Sequence, residues 1–345
     1  MVQWIDVLRR RLFGSPELPP ASPLPEPASA PRTYPVGPDR SGWAEDISVP
    51  AELRETWIRD GFVVMPGIFD ASQLAPYAAT VARARTAIDD GRDAFGFGDR
   101  VGQLHQQYPD LLELASDARV LSFLNWALGD RAILFGSLNF DKGTQQEAHI
   151  DAIFFWPEPS YSMAGVWIAL EDIAEDAGPL FYVRGSHNWP FLRSEDLVRT
   201  RPDLAARRAA ERDLAPADRA ALTQELGAAW THDFLKMKAD RATPNVPLHI
   251  KAGDVVCWHS LLAHGGSARL NEARSRHSVV FHYIGSRTSL YTFDQFMLRD
   301  AEAMKDEPPQ PLNLVSYKGR LDYMRYDHFV SYSKGNQLLH PVRGP

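Results

Sequence analysis

Between residues 131 and 284 the chain breaks into short runs rich in Val, Ile, Phe, Trp and Tyr, separated by Gly, Pro, Asp and Asn, and nothing else in it narrows the fold as far. The runs read as strands over residues 132–140, 148–155, 164–170, 178–183, 248–258 and 277–284. Several are apolar on both faces, as strands are when two sheets stack or a barrel closes around a core. Helical patterns precede them over residues 51–60, 70–90 and 111–128; in the second, Asp70 suits an N-cap and Leu74, Tyr77, Ala78 and Val81 form an apolar stripe. A further helical block, residues 193–240, interrupts the strands as an insertion, and insertions of that size often serve as a lid or side wall of a binding site.

A fold of this kind needs a large core, and 345 residues of which 44% are hydrophobic can supply one. The formal charge of -7 leaves no basic footprint for nucleic acid. Cys257, the single cysteine, rules out an internal disulfide framework and any multi-cysteine metal site, so a reducing, cytoplasmic setting is expected. No apolar run is long enough to span a bilayer. At the start, Trp4, Ile5, Leu8 and Leu12 fall at helical spacing around Arg9, Arg10 and Arg11, a pattern open to docking on a membrane surface, a partner or a second copy, or to packing on its own domain. Nine prolines between Pro16 and Pro38 then favour an extended linker. Residues 1–40 are therefore read as segment and linker, 41–345 as one domain, and 286–345 as an aromatic-rich extension that could cover the core, close a pocket or form a dimer contact.

Within the strand-like run at 148–155, Glu147-Ala-His-Ile-Asp-Ala-Ile-Phe-Phe-Trp156 sets His149 and Asp151 two positions apart, hence on one face of a strand. An unpaired charge buried there costs several kcal/mol, on the order of the penalty for an uncompensated ion. A divalent metal would compensate it, and a third ligand from a neighbouring strand would leave coordination positions open. His264, at a strand end before a glycine turn, is the favoured third ligand. The blander alternative is a His–Asp hydrogen bond at a surface turn. Arg276 opens the apolar run 276–284, where a guanidinium seeks a carboxylate or phosphate; an internal salt bridge is its alternative.

The order Gly61-Phe-Val-Val-Met-Pro-Gly67, His149-Ile-Asp151, Gly178-Pro-Leu-Phe-Tyr-Val-Arg-Gly-Ser-His187, Lys251-Ala-Gly-Asp254, His264-Gly-Gly-Ser267 and Arg276 resembles the phytanoyl-CoA dioxygenase family of iron(II)- and 2-oxoglutarate-dependent oxygenases, over roughly residues 50–285. The resemblance implies a mainly β fold with flanking helices, a double-stranded β-helix (jelly roll, cupin-like) carrying the helical insertion. It implies that His149, Asp151 and His264 bind Fe(II), that Arg276 holds the distal carboxylate of 2-oxoglutarate, and that Trp167 and Ser267 also touch this co-substrate. The family usually reads His-Gly-Ser where this chain reads His-Gly-Gly-Ser, which unsettles the place of Ser267. His187 reads as a structural turn residue, and His259 and His282 as packing residues. Phe155, and Arg184 at a position commonly proline in the family, are candidates for the substrate. The implied reaction consumes O2, decarboxylates 2-oxoglutarate to succinate and hydroxylates a small molecule, the carboxylate of Asp151 favouring hydroxylation over halogenation. A cupin-like metalloprotein with a co-substrate-free isomerase or lyase activity, and a non-enzymatic jelly-roll binding protein, are the alternatives.

Overall fold

A computed structural model describes residues 34–40, 48–87, 100–333 and 336–342; the N-terminal amphipathic segment and most of the proline-rich stretch lie outside them. Ten strands form the large sheet among these residues. Its main path runs β1 (Phe62–Met65), β8 (Val255–His259), β5 (Met163–Ala169), β10 (Ser278–Gly285), β3 (Ala132–Phe140), β2 (Arg100–Gly102), β14 (His328–Ser333) and β15 (Asn336–Pro341). Two more strands, β12 (Leu314–Tyr317) and β13 (Leu321–Met324), join it through the parallel pairing of β13 with β3. Two small sheets complete the double-stranded β-helix: β7 (Val246–Pro247), β6 (Leu180–Tyr182) and β9 (His264–Gly266) in one, and β11 (Ser289–Thr292) with β4 (Phe155–Glu158) in the other.

Alternation with period two decides the layering. Along β8, Val255 and Cys257 join an outer apolar cluster with Val166, Ile168, Val279 and Phe281, whereas Val256 and Trp258 join an inner one with Trp167 and Val280. Burial on both faces explains why these runs read as continuously apolar. Helices α1 (Ala51–Asp60), α2 (Ala71–Ala87), α3 (Leu112–Ala115) and α4 (Ala118–Leu128) cover the outer cluster with Trp57, Leu74, Tyr77, Leu114, Phe123 and Leu124. The helix expected over 111–128 is thus two helices. Asp117 divides them, because its carboxylate accepts the backbone N–H groups of Arg119 and Val120 and caps α4.

The strand expected over 148–155 does not form. His149 makes only a β-bridge with His264, Asp151–Ile153 is a single 3-10 turn, and β4 begins at Phe155. The turn is fixed by Ala152 donating to the Ser260 carbonyl and Phe154 donating back to that of Asp151.

In the insertion, α5 (Ser194–Val198), α6 (Pro202–Ala209) and α7 (Pro216–Asp240) pack with α8 (Phe293–Leu298) and β4 around Trp156, Phe191, Trp230, Phe234 and Phe296. The Arg193 guanidinium lies between two of these rings, 4.9 Å from Trp156 and 4.6 Å from Phe296. Residues 34–40 lie against the same domain: Tyr34 meets Trp156 edge-on at 5.2 Å, and Arg40 donates to the Trp126 carbonyl at 3.0 Å. Among the described residues no helix is long and apolar enough to cross a membrane.

Candidate metal centre

The bridge between residues 149 and 264 is reciprocal, His149 N–H donating to the His264 carbonyl at 2.9 Å and His264 N–H to that of His149 at 3.0 Å. It brings the two imidazoles to 4.4 Å between ring centres. Each ring then donates Nδ1–H to the carbonyl two residues before it, Glu147 at 2.9 Å and Leu262 at 3.0 Å. A carbonyl can only accept, so both rings carry a proton on Nδ1 and turn Nε2 to the centre. The 3-10 turn swings Asp151 back to meet them, with Oδ1 3.7 Å from Nε2 of His149 and 3.6 Å from Nε2 of His264. Ligand atoms of the three lie within 4.8 Å of one another, and no other such trio occurs among the described residues.

Burial alone would push the Asp151 carboxyl upward, but His264, His282 and His149 around it hold it well below the usual carboxylate range. It is an anion among three imidazoles. Two imidazoles and one carboxylate sharing an apex is the donor set of a divalent first-row metal with an open face.

The open face gives onto a cavity of about 480 Å³ between the large sheet and the small ones. Arg276 and Trp167 line it, both fully buried. One Arg276 N–H donates to the Gly178 carbonyl at 2.8 Å, while its Nε and the Nε1 of Trp167 are buried with no hydrogen-bond partner. Burial lowers the Arg276 guanidinium to about 10, which still leaves it charged at neutral pH. Unpartnered buried donors of this kind suit an anionic oxygen ligand. Phe155 also lines the cavity, beside Phe135 and Phe154.

Two candidates lie elsewhere. Ser267 is half-buried and is not among the lining residues; in the alternation of β9 the inward place after His264 falls to Gly266, and Ser267 donates its backbone N–H to the Pro179 carbonyl instead. Arg184 does not line the cavity either and pairs with Asp60 at 2.5 Å. Conversely, several lining residues are not marked as such by the sequence, among them His282, which reads there as a packing residue. Arg100 is a second buried cation in the wall. Trp258 donates from its indole Nε1 to Asp151 Oδ2 at 2.9 Å, and His282 Nε2 lies 3.4 Å from the same oxygen. Tyr326, His328 and Leu339 bring the C-terminal extension into the wall, whereas no residue of 193–240 reaches it. The insertion buttresses the fold rather than walling the site.

The profile of the phytanoyl-CoA dioxygenase (PhyH) family matches residues 57–278. Phytanoyl-CoA dioxygenase domain-containing protein 1 of Danio rerio is 28% identical over 155 residues, 45% of this chain and 44% of that protein. The ectoine dioxygenase of Sphingopyxis alaskensis is 27% identical over 172 residues, 46% of this chain and 55% of that protein. The chain spans about half the length of the curated relatives it matches. Among solved structures, EctD from S. alaskensis with 2-oxoglutarate and 5-hydroxyectoine superposes with a TM-score of 0.55 at 19% identity, covering 88% of this chain and 98% of that one. The epimerase SnoN in complex with Fe3+, alpha ketoglutarate and nogalamycin RO gives a TM-score of 0.55 at 20% identity, covering 76% and 95%.

Proposed function

The chain belongs to the phytanoyl-CoA dioxygenase family, and from that premise we propose that it is an iron(II)- and 2-oxoglutarate-dependent oxygenase acting on a small molecule. The observation that carries the reading is the trio His149, Asp151 and His264 opening onto the same cavity as the buried Arg276. Nε2 of each histidine and Oδ1 of Asp151 would hold the iron. When bound, iron supplies activation of O2 coupled to decarboxylation of 2-oxoglutarate to succinate. The chain supplies the rest. Arg276 offers a buried charge and its unpartnered Nε–H to the distal carboxylate, Trp167 offers its indole N–H, and Arg100 adds positive charge for a dianion. Phe135, Phe154 and Phe155 form an aromatic wall that excludes water and fits an apolar part of the substrate.

Hydroxylation is the outcome we assign, supported by a carboxylate at 151 where halogenating members carry a small residue. An epimerase among the structural neighbours marks the other outcome to test.

The experiment is anaerobic addition of Fe(II) and 2-oxoglutarate to the full chain, followed by air. A visible charge-transfer band and then succinate are expected. Bound metal with neither band nor succinate would instead identify a co-substrate-free metalloprotein, and negligible metal in wild type and His149→Ala alike a binding protein. A succinate screen across small molecules, with uncoupled turnover subtracted, then separates hydroxylated from epimerised product by mass.

A further inference from the structure

We propose that His282, Gly165 and Trp258 form one cross-strand seat for the second oxygen of Asp151, so that Trp258 and His282 hold this residue as a single-oxygen ligand of the metal. The inference rests on reading the trio as a metal site. Strand β5 lies between β10 and β8, and Gly165 stands directly opposite His282 on one side and Trp258 on the other. The two rings approach each other over the glycine with 6.2 Å between centres, nearly perpendicular. Both reach the same atom: the indole N–H donates to Oδ2 at 2.9 Å, and His282 Nε2 lies 3.4 Å from it. The other oxygen, Oδ1, is the one beside Nε2 of His149 and of His264. The two oxygens of one carboxylate therefore have separate duties.

Glycine at 165 is what lets this happen. A Cβ built there would lie 2.1 Å from Cζ2, 2.2 Å from Cε2 and 2.7 Å from Cη2 of Trp258, so any side chain expels the indole from its place across the strand. The chemistry gives the seat its purpose. A carboxylate with both oxygens free can chelate a metal and occupy a position that a bidentate co-substrate and oxygen require. An indole N–H is a donor only; it ties down Oδ2 without competing for the metal. Trp258 and His282 are thus positioning residues that act through Asp151.

The test uses the full chain with Co(II) as probe, reading affinity by titration and the visible d–d spectrum, whose intensity reports coordination number. Trp258→Phe keeps an aromatic side chain, though a smaller one than the indole, and removes the N–H; Co(II) binding is expected to weaken about tenfold or more, as loss of such outer partners does, with a changed spectrum. Gly165→Ala should reproduce that spectrum, and the double variant should be no worse than the stronger single, because both remove one contact. Circular dichroism establishes that each variant is folded; if Trp258→Phe and Gly165→Ala do not fold, His282→Gln decides by the same two readouts. Unchanged affinity and spectrum in folded Trp258→Phe, or in folded His282→Gln when that variant decides, overturn the proposal. Wild-type protein that fails to bind Co(II) would overturn the metal-site reading itself, whereas a binding wild type with unaltered variants sinks only the seat.

Discussion

At the residue scale, the trio that could hold a metal and the guanidinium proposed to hold an anion stand apart in the cavity. Arg276 contacts none of the three candidate ligands by any hydrogen bond described, and its partner on the chain is the Gly178 carbonyl. Arg276→Ala should therefore raise the 2-oxoglutarate concentration for half-maximal succinate formation about 10- to 100-fold, in line with roughly 1.5–3 kcal/mol for a hydrogen bond to a charged group. Iron content should stay at the wild-type level; lost iron with unchanged 2-oxoglutarate affinity would contradict the assignment. That His149, Asp151, His264 and Arg276 share one cavity was legible because a charged or imidazole side chain inside an apolar run breaks the pattern around it. Trp258 and His282 were not, since an aromatic ring in a buried strand fits the pattern whether it packs or donates. Only the register that sets both opposite Gly165 distinguishes the two. Ser267 was misplaced by one glycine, which in a strand exchanges the two faces.

At the element scale, the sequence reading of 132–140 and 51–60 coincides with β3 and α1, because turn residues mark both ends of each, Gly129-Asp130 and Asp141 to Gly143 around β3 and Pro50 and Gly61 around α1. Residues 148–155 do not form a strand because the Ala152 bond to the Ser260 carbonyl and the Phe154 bond back to Asp151 close a turn there, against the β preference of Ile and Phe. The insertion was expected beside the site and instead packs behind it on Trp156 and Phe296. Its central ring, Trp230, is buried and donates to the Leu192 carbonyl at 3.0 Å. Trp230→Ala should cost about 3–5 kcal/mol of stability, as large-to-small core changes do, read from the denaturant midpoint. Co(II) and 2-oxoglutarate affinities of the folded variant should be unaltered, and a selective loss of either would restore the insertion to the cavity wall. The C-terminal extension has the place the insertion was given: β14 pairs with β2, and His328 and Leu339 lie at the cavity. Its aromatic content was visible, but the pairing that carries it there joins residues more than two hundred positions apart.

At the scale of the whole molecule, the interior holds several histidines in neutral form. Burial lowers His105 to about 3, where its Nδ1–H donates to Ser137 Oγ and Gln106 donates to its Nε2, and burial lowers His187 to about 4. His259 is likewise driven well below its usual value by burial and by its neighbour His187. In the unfolded chain each takes a proton near pH 6.5, so the unfolded state binds more protons below that point. Stability is fully present above about pH 6.5 and falls as the pH drops, by up to roughly 1.4 kcal/mol per unit for each such group. His277, raised by its bond to Asp141, acts in the opposite sense, but it is half-exposed and solvent screens its contribution. Urea midpoints level between pH 7 and 8 and declining from 6.5 to 5 are expected. A flat profile through the lower window would show that these rings accept protons without unfolding.

The paired backbone bonds between His149 and His264 join positions 115 residues apart, in a chain whose single cysteine forbids a disulfide. An ion held by both imidazoles would close that long loop a second time, as a removable cross-link that binds only the folded chain and adds its binding free energy to folding. Saturating Co(II) should raise the melting temperature and excess chelator should return it to its starting value; an unmoved transition would mean that the ion adds nothing to a closure already complete.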